Sequence, residues 1–154
     1  MKVSTKGRYG LRAMIDIAVH SNGSHVPLIQ VAIRQDISEN YLEQVIALLR
    51  KGGFVRSVKG AHGGYRLTRS PSEIRVGDLL RTLEGSISVV ETVGESDSGF
   101  DESNRMDVVQ RAIRTQVWER IDRGVNEVVD AITLEDLVAE YRKLNGPDTL
   151  TYEI

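Results

Sequence analysis

The chain has 154 residues, of which 40% are hydrophobic, and it carries a net charge of −2 and no cysteine. The lack of cysteine excludes disulfides, thiolate nucleophiles and metal or iron–sulfur sites held by cysteine. No apolar run reaches the roughly 20 residues that cross a bilayer, and the first residues lack the apolar segment of a secretory signal, so we expect a cytoplasmic protein without membrane contact.

Two helices are predicted before residue 36. Leu11, Met14, Ile15 and Ala18 recur at helical spacing within "TKGRYGLRAMIDIAVH", and Ser4 is placed to cap that helix. The turn residues of "SNGSHVP" end the pattern. Proline favours the first turn of a helix, and Pro27 directly precedes "LIQVAIRQ". This segment is therefore predicted as a short second helix.

A third helix is predicted over "ENYLEQVIALLRK", after the tight connection "QDIS". Ser38 is the expected cap, and the helix is expected to end at Lys51 before two glycines. Its apolar stripe is formed by Leu42, Val45, Ile46 and Leu49. The opposite face carries Asn40, Glu43, Gln44 and Ala47, which the core does not need.

The glycines of "VKGAHGGYRL" allow several interpretations. A phosphate-binding P-loop needs a Lys-Ser/Thr pair and a following helix, and a dinucleotide-binding motif also needs a helix there. Here strand-like segments, "FVRSVKG" and "YRLTRS", flank "AHGG". We therefore predict a β-hairpin whose glycines take positive φ at the tip and let the backbone approach a sugar–phosphate wall.

The second half of the chain has a different character. After a brief helix in "VGDLLRTLEG", residues 85–105 are predicted to form an acidic flexible loop. A helix of about 27 residues follows. Thr133 and Asp136 resemble a capping box that opens a last short helix, "LEDLVAEYRKL". One side of the long helix carries a set of residues that we call the apolar seam: Val109, Ile113, Val117, Trp118, Ile121, Val125, Val128 and Ile132.

This order of elements predicts a mostly α fold with a small β-hairpin. Residues 1–84 would form a winged helix-turn-helix domain, in which the third helix enters the major groove of DNA. Residues 106–154 would form a long dimerisation helix with a C-terminal helix and tail. A helix about 40 Å long with an apolar stripe needs a partner, and we expect it to pack both on its own domain and on a second copy in a homodimer.

Charge supports a DNA partner. Residues 1–83 carry 13 Lys and Arg against 6 Asp and Glu, a balance of +7, whereas residues 84–154 have a balance of −9. A basic half suits a polyanion. Ser38, Asn40 and Gln44 can bond base edges or phosphates, and Lys59 can enter a minor groove. For each residue alone, a helix cap or a solvated side chain is the simpler interpretation, and only the group on one face favours double-stranded DNA.

Other classes of function have less support. No Gly-x-Ser-x-Gly motif is present, and His20, His25 and His62 lack metal-ligand spacing, so we predict no enzyme, no metal and no cofactor. A winged-helix adaptor that binds proteins rather than DNA is one alternative. A regulator that senses a small ligand between the domain and the long helix is another.

The segments "STKGRYGLRAMIDIA", "ISENYLEQVIALLRKGGFVRSVKGAHGGYRL", "VGDLLRTLEG" and "TLEDL" resemble the Rrf2 family of bacterial winged-helix regulators over nearly the whole chain. The resemblance implies a dimer built on the long helix, with Glu43 tuning base preference beside Ser38, Asn40 and Gln44. It also implies that the hairpin, which is the wing of this fold, enters the minor groove and that the first helix contacts phosphates. The full predicted DNA surface is Thr5, Lys6, Tyr9, Ser38, Asn40, Glu43, Gln44, Lys51, Lys59, Gly60, His62, Gly63, Gly64 and Tyr65.

One departure from the family pattern concerns the loop before the long helix. Cluster-binding members carry three cysteines there, whereas this chain has "ETVGESDSGFDESNRM". The resemblance therefore does not extend to iron–sulfur sensing. The cysteine-free loop and the tail "LTYEI" resemble the cysteine metabolism repressor branch, which implies a repressor of sulfur genes that is regulated through a protein partner such as a cysteine synthase.

Overall fold

The computed structural model describes residues 2–90 and 103–151. Seven α-helical segments and one antiparallel hairpin are found in these ranges, with a single π-helical turn, Arg114–Trp118, between the fifth and sixth helices. The helices are α1 Thr5–His20, α2 Leu28–Gln35, α3 Glu39–Lys51, α4 Val76–Glu84, α5 Arg105–Ile113, α6 Glu119–Ala131 and α7 Leu134–Thr151, and the strands are β1 Val55–Val58 and β2 Gly64–Leu67.

The predicted bounds of the first three helices are confirmed, and so are the serine caps of α1 and α3. The Ser4 side chain accepts the Gly7 amide, and the Ser38 side chain accepts the Tyr41 amide at 3.2 Å. The turn between α2 and α3 depends on Asp36, whose φ of 52° ends α2 in the left-handed conformation. Asp tolerates this conformation better than most residues because its short polar side chain can bond locally.

The core lies where α1, α2, α3 and α4 meet. The apolar stripe predicted for α3 is fully buried there, opposite Met14 and Ile17 of α1 and Leu79 of α4. Leu134 and Val138 from the start of α7 belong to the same core cluster. The core of the helix-turn-helix domain therefore includes side chains from beyond residue 84, the predicted end of that domain.

The hairpin packs on this core through one face only. Val55 is buried, and Tyr65 and Leu67 pack partly against the core. Tyr65 also exchanges two backbone hydrogen bonds with Val26, at 2.8 and 2.9 Å, so the segment before α2 supports the hairpin like a third strand. This support fixes the direction in which the tip of the hairpin points.

The role predicted for two of the hairpin glycines is wrong. Gly60 has φ of 119°, as expected, but Gly63 and Gly64 do not have positive φ. Gly64 lies within β2, and a Cβ there would stand 2.3 Å from the Val26 carbonyl oxygen. A Cβ on Gly63 would stand 2.3 Å from the Val58 carbonyl oxygen. These two residues are glycine because the chain's own backbone comes close.

The long helix runs from Arg105 to Ala131 and is interrupted by the π turn. In an α-helix each step of four residues advances 400°, so residues spaced by four drift around the axis. The seam steps by four from Val109 to Ile121, and the wider π turn reduces that drift because it holds more residues per turn. The turn therefore helps to keep these residues on one line.

The seam differs along its length. Val109, Ile113, Val117, Trp118, Ile121 and Val128 are exposed, whereas Val125 and Ile132 are half-buried. The half-buried residues lie where α6 packs against α4. Of the two packing arrangements expected for the seam, only contact with its own domain is visible in a single chain.

The capping box at Thr133 is confirmed. The Thr133 hydroxyl accepts the Asp136 amide at 3.1 Å, and the Asp136 carboxylate accepts the Thr133 amide at 2.9 Å. The helix that follows is longer than predicted and extends to Thr151. Most of the predicted acidic loop, residues 91–102, lies outside the described residues. No helix in the described part of the chain is long and apolar enough to cross a membrane.

Candidate nucleic-acid interface

The exposed face of α3 is the centre of the candidate interface. Asn40, Glu43, Gln44 and Lys51 are all exposed, and Ala47 between them leaves an unobstructed surface. None of these four polar side chains has a hydrogen bond or ion pair to another residue in the described ranges. Their donors and acceptors are therefore available to a partner, as a helix that reads base edges requires.

The N-terminus of α1 lies beside α3. Tyr9 and Tyr41 pack edge to face, with 5.6 Å between ring centroids, and the Arg12 guanidinium lies 5.1 Å from the centroid of the Tyr9 ring. Edge-to-face pairs and cation–π contacts each add to the area buried. Tyr9 is thus half-buried and links the first turns of two helices, while Thr5 and Lys6 stay exposed beside it.

Glu84, the last residue of α4, caps α1. Its Oε1 accepts the Ser4 amide at 2.8 Å, the Ser4 hydroxyl at 2.6 Å and the Gly7 amide at 3.1 Å. A Cβ on Gly7 would stand 2.1 Å from that oxygen, so glycine is needed for the approach. Because this carboxylate occupies the positive end of the helix, a phosphate here would have to be held by side chains. No local sequence signal predicts this contact, because Glu84 lies 80 residues from Ser4 in the chain.

A buried polar network fixes the angle between α1 and α2. Asp16 is 2% exposed, and its carboxylate accepts two hydrogen bonds from Arg34, at 2.9 and 2.7 Å, and one from Gln35 at 3.0 Å. These bonds to Asp16 raise the pKa of Arg34. Arg12 in turn donates to the carbonyl oxygen of Gln35. A bidentate, buried pair of this kind is geometrically specific, and it holds the helix that precedes the turn into α3.

The tip of the hairpin, residues 59–62, is exposed. Lys59 makes no hydrogen bond or ion pair with any described residue, and Gly60 provides the turn. The His62 carbonyl oxygen is bonded to Nε2 of His25, which fastens the tip to the segment before α2. His62 thus contributes its backbone to the wing while its ring faces solvent, and Tyr65 contributes mainly packing.

A cavity of about 210 Å³ lies between the domain and the long helix. Its lining includes Arg81 and Asn126, and the carboxylate of Asp122 there accepts the Ser88 hydroxyl and the Val89 amide, both at 2.7 Å. Arg81 donates to Asp130 at 2.9 Å and to Asn126 at 2.6 Å, so its guanidinium is already satisfied. The bonds to Asp130 raise the pKa of Arg81 and lower that of Asp130.

The comparisons with known proteins are decisive for the family. Residues 3–140 match the family model Rrf2, described as "Iron-dependent Transcriptional regulator". The chain belongs to the Rrf2 family. It is a winged helix-turn-helix transcriptional regulator, as the order of elements and the quoted motifs predict. Among the described residues, no three His, Cys, Asp or Glu side chains come together in a way that could hold a metal ion.

Two curated regulators illustrate the relationship. The chain is 40% identical to the HTH-type transcriptional regulator CymR of Bacillus subtilis, over 90% of this chain and 91% of that protein. It is 36% identical to the HTH-type transcriptional regulator IscR of Pectobacterium atrosepticum, over 96% of this chain and 85% of that protein. Both the family model and these relatives span the domain and the long helix together.

Solved structures agree with this relationship. The structure of CymR, called the global cysteine regulator of B. subtilis, superimposes with a TM-score of 0.73 and 41% identity, covering 91% of this chain and 98% of that one. The structure of IscR from T. potens gives a TM-score of 0.72 and 43% identity, covering 94% of this chain and 91% of that one.

The description "iron-dependent" does not carry over to this chain through a cysteine-bound cluster. Iron–sulfur clusters are held mainly by cysteine thiolates, and the 154 residues contain none. The residues present therefore do not fit such a cluster, and we derive no step in its function from one.

Proposed function

We propose that this protein is a cytoplasmic repressor that binds a pseudo-palindromic operator as a homodimer. The main support for this proposal is the exposed face of α3. There Asn40, Glu43 and Gln44 point away from a fully buried stripe and lack partners among the described residues. Such a helix can lie in a major groove about 12 Å wide and still be held rigidly by its own core.

Each part of the predicted DNA surface has a distinct task in this proposal. Asn40, Gln44 and Ser38 contact base edges or nearby phosphates, and Glu43 tunes base preference. Lys59, Gly60, His62 and the two following glycines form a wing that approaches the minor groove. Thr5, Lys6 and Tyr9 at α1, with Lys51 at the end of α3, lie against the sugar–phosphate backbone. Tyr65 supports the wing from beneath.

The homodimer is supported by the exposed part of the seam. Six apolar side chains along one helix, including Trp118, face solvent in the single chain. Exposed apolar patches rimmed by polar residues mark interaction sites, and twofold dimers are the commonest assembly. A dimer would present two copies of α3 to two half-sites, and it would explain why the long helix extends beyond its own domain.

Genes of cysteine or sulfur metabolism are the proposed targets, with a cysteine synthase or another protein as co-regulator. The support is the identity to CymR and the absence of cysteines from the loop before the long helix. A regulator that senses a small ligand is the second candidate, because a cavity lies between the domain and the long helix.

The deciding experiment is selection of bound duplexes from random DNA, followed by titration of the selected duplex. We expect a symmetric consensus, which should map to promoters of sulfur genes if the proposed target is right. The Gln44→Ala variant should lose about 1–3 kcal/mol of discrimination at one position of each half-site. Asn145→Ala, which removes an exposed amide on α7, is the control and should bind like the parent.

The same titration distinguishes the other classes of function. A protein adaptor would yield no enriched sequence, and it would retain its partner when Lys51 and Lys59 are both changed to Glu. A ligand-sensing regulator would yield the consensus but release it on addition of a metabolite. Unchanged discrimination in Gln44→Ala would show that α3 does not read the operator as assigned.

A further inference from the structure

Two arginines stand directly opposite each other on the hairpin. Arg56 on β1 pairs with Arg66 on β2 in the antiparallel register, between the pairs formed by Val55 with Leu67 and by Ser57 with Tyr65. Side chains alternate between the two faces of a strand. Since Val55, Tyr65 and Leu67 pack toward the core, Arg56 and Arg66 share the outer face of the wing.

These two guanidinium groups make no hydrogen bond or ion pair with any residue in the described ranges. Arg56 is exposed and Arg66 is half-buried. Elsewhere the chain pairs Arg34 with Asp16 and Arg81 with Asp130. Both guanidinium groups on the wing remain available to a partner outside the fold.

The arrangement works against the stability of the isolated wing. In a directly opposed pair the Cβ atoms lie about 5 Å apart, and like charges at that distance destabilise a hairpin. A two-stranded hairpin is also only marginally stable without packing. An anion that bridges the two guanidinium groups would turn this repulsion into attraction, and guanidinium groups bind phosphate in a bidentate manner.

The position of the pair relative to the tip points to the nature of that anion. Arg56 precedes Lys59 by three residues, which is about 10 Å along an extended chain. A wing whose tip enters a minor groove about 6 Å wide has a sugar–phosphate strand on each side. Long side chains on the flank of the wing can therefore reach the phosphates beside the groove.

We propose that Arg56 and Arg66 form a clamp for the backbone phosphates beside the minor groove that the wing enters. The inference rests on the proposed function, because it takes the wing to be bound to DNA. It adds a sequence-independent contact to the surface predicted from the sequence, which includes neither arginine. Repulsion between the two side chains is relieved only when DNA is bound.

The test compares Arg56→Gln, Arg66→Gln and the double variant on the duplex selected by the parent and on a scrambled duplex. Each phosphate contact contributes about 0.9 to the slope of log affinity against log salt. In the homodimer each substitution removes one contact per half-site and two per operator, so for each arginine replaced the slope should fall by about 1.8 and affinity at 0.1 M salt by about sixtyfold. Both duplexes should be affected equally. Arg142→Gln, an exposed site on α7, removes the same charge and should change neither quantity.

Thermal unfolding without DNA gives the second readout, which should move in the opposite direction. Loss of one arginine removes repulsion, so Arg66→Gln should melt about 1–3 °C higher than the parent. Arg66→Glu should melt higher still, because Arg56 would gain an oppositely charged neighbour across the strands. Its affinity for DNA should nevertheless be lower than that of Arg66→Gln.

Three results would overturn the inference. A lower melting temperature in Arg66→Gln would mean that the chain itself holds that guanidinium. Unchanged salt slopes would mean that the pair does not contact phosphate, and loss confined to the selected duplex would mean that it reads bases. Failure of the proposed function is a separate result, since the parent itself would then select no sequence.

Discussion

The helix-turn-helix domain and the long helix place their apolar side chains differently. In the domain, the stripes of α1, α3 and α4 meet in one core, and residues such as Leu42 and Leu49 are fully buried. On the long helix, Ile113 and Ile121 are each 41% exposed. Since burial of apolar surface drives both folding and association, the stripes of the domain are used within one chain, whereas the exposed seam suits the proposed homodimer.

The largest expected effect comes from charging the seam. Ile121→Asp would place a carboxylate at the centre of the proposed dimer interface, where burying an unpaired charge is costly. We expect the dissociation constant of the dimer to rise about a hundredfold or more, as measured by sedimentation equilibrium. Circular dichroism should show that the domain remains folded, because its core does not include Ile121.

Thr115→Asp is the matched control, since Thr115 lies on the other side of the same helix and is also exposed. It should stay dimeric. A variant of Ile121 that dimerises as tightly as the parent would show that the seam is not the interface, and the contrast between the two regions would then need another explanation.

A smaller effect is expected inside the domain. Asp16→Asn keeps the shape of the side chain but removes the charge that Arg34 neutralises. Breaking a buried pair costs about 3–5 kcal/mol, and because the Arg34 side chain is 31% exposed, we expect about 1–3 kcal/mol in urea unfolding. Asp36→Asn makes the same chemical change at an exposed residue and should be nearly neutral. Equal effects of the two changes would refute a special role for Asp16.

The smallest effect concerns the contact between the two regions at which Arg81 of α4 pairs with Asp130 of α6, which we call the joint. The hydrogen bonds from Arg81 lower the pKa of Asp130, so the stabilisation from this pair is complete above the ordinary carboxyl pKa of about 4. It is lost as the pH falls through the lower value of the folded state. The melting temperature of Asp130→Asn should therefore lie below that of the parent at pH 7, and the gap should narrow below pH 4.

Asp78→Asn serves as the control for that pH experiment. Asp78 contacts the same arginine at 3.3 Å from an exposed position, and surface pairs of this kind contribute little. Its melting temperature should stay close to that of the parent. A gap for Asp130→Asn that does not change with pH would show that the ion pair does not stabilise the joint.

Local signals carried most of what the sequence predicted correctly. The bounds of α1 and α3 followed from serine caps and apolar spacing, because both helices begin after residues that are chemically suited to helix ends. The family resemblance was confirmed because it rests on runs of motif residues that span both regions.

The contacts that the sequence did not predict join residues that are far apart in the chain. Glu84 caps α1 from a distance of 80 residues, and Arg81 reaches Asp130 across 49. Gly64 was assigned the wrong reason because its close neighbour, Val26, belongs to a different segment. Spacing along the chain carries no information about such encounters.

Gly77 of α4 leaves space for Asp130 of α6 at the joint. A Cβ at this residue would stand 1.9 Å from Oδ1 of Asp130, so the Asp130 carboxylate can lie against α4 because residue 77 has no side chain. In a dimer built on the long helix, this close approach would fix how far each recognition helix stands from the twofold axis. The absence of a Cβ at residue 77 would then influence the number of base pairs between half-sites, and so which promoters the protein can occupy.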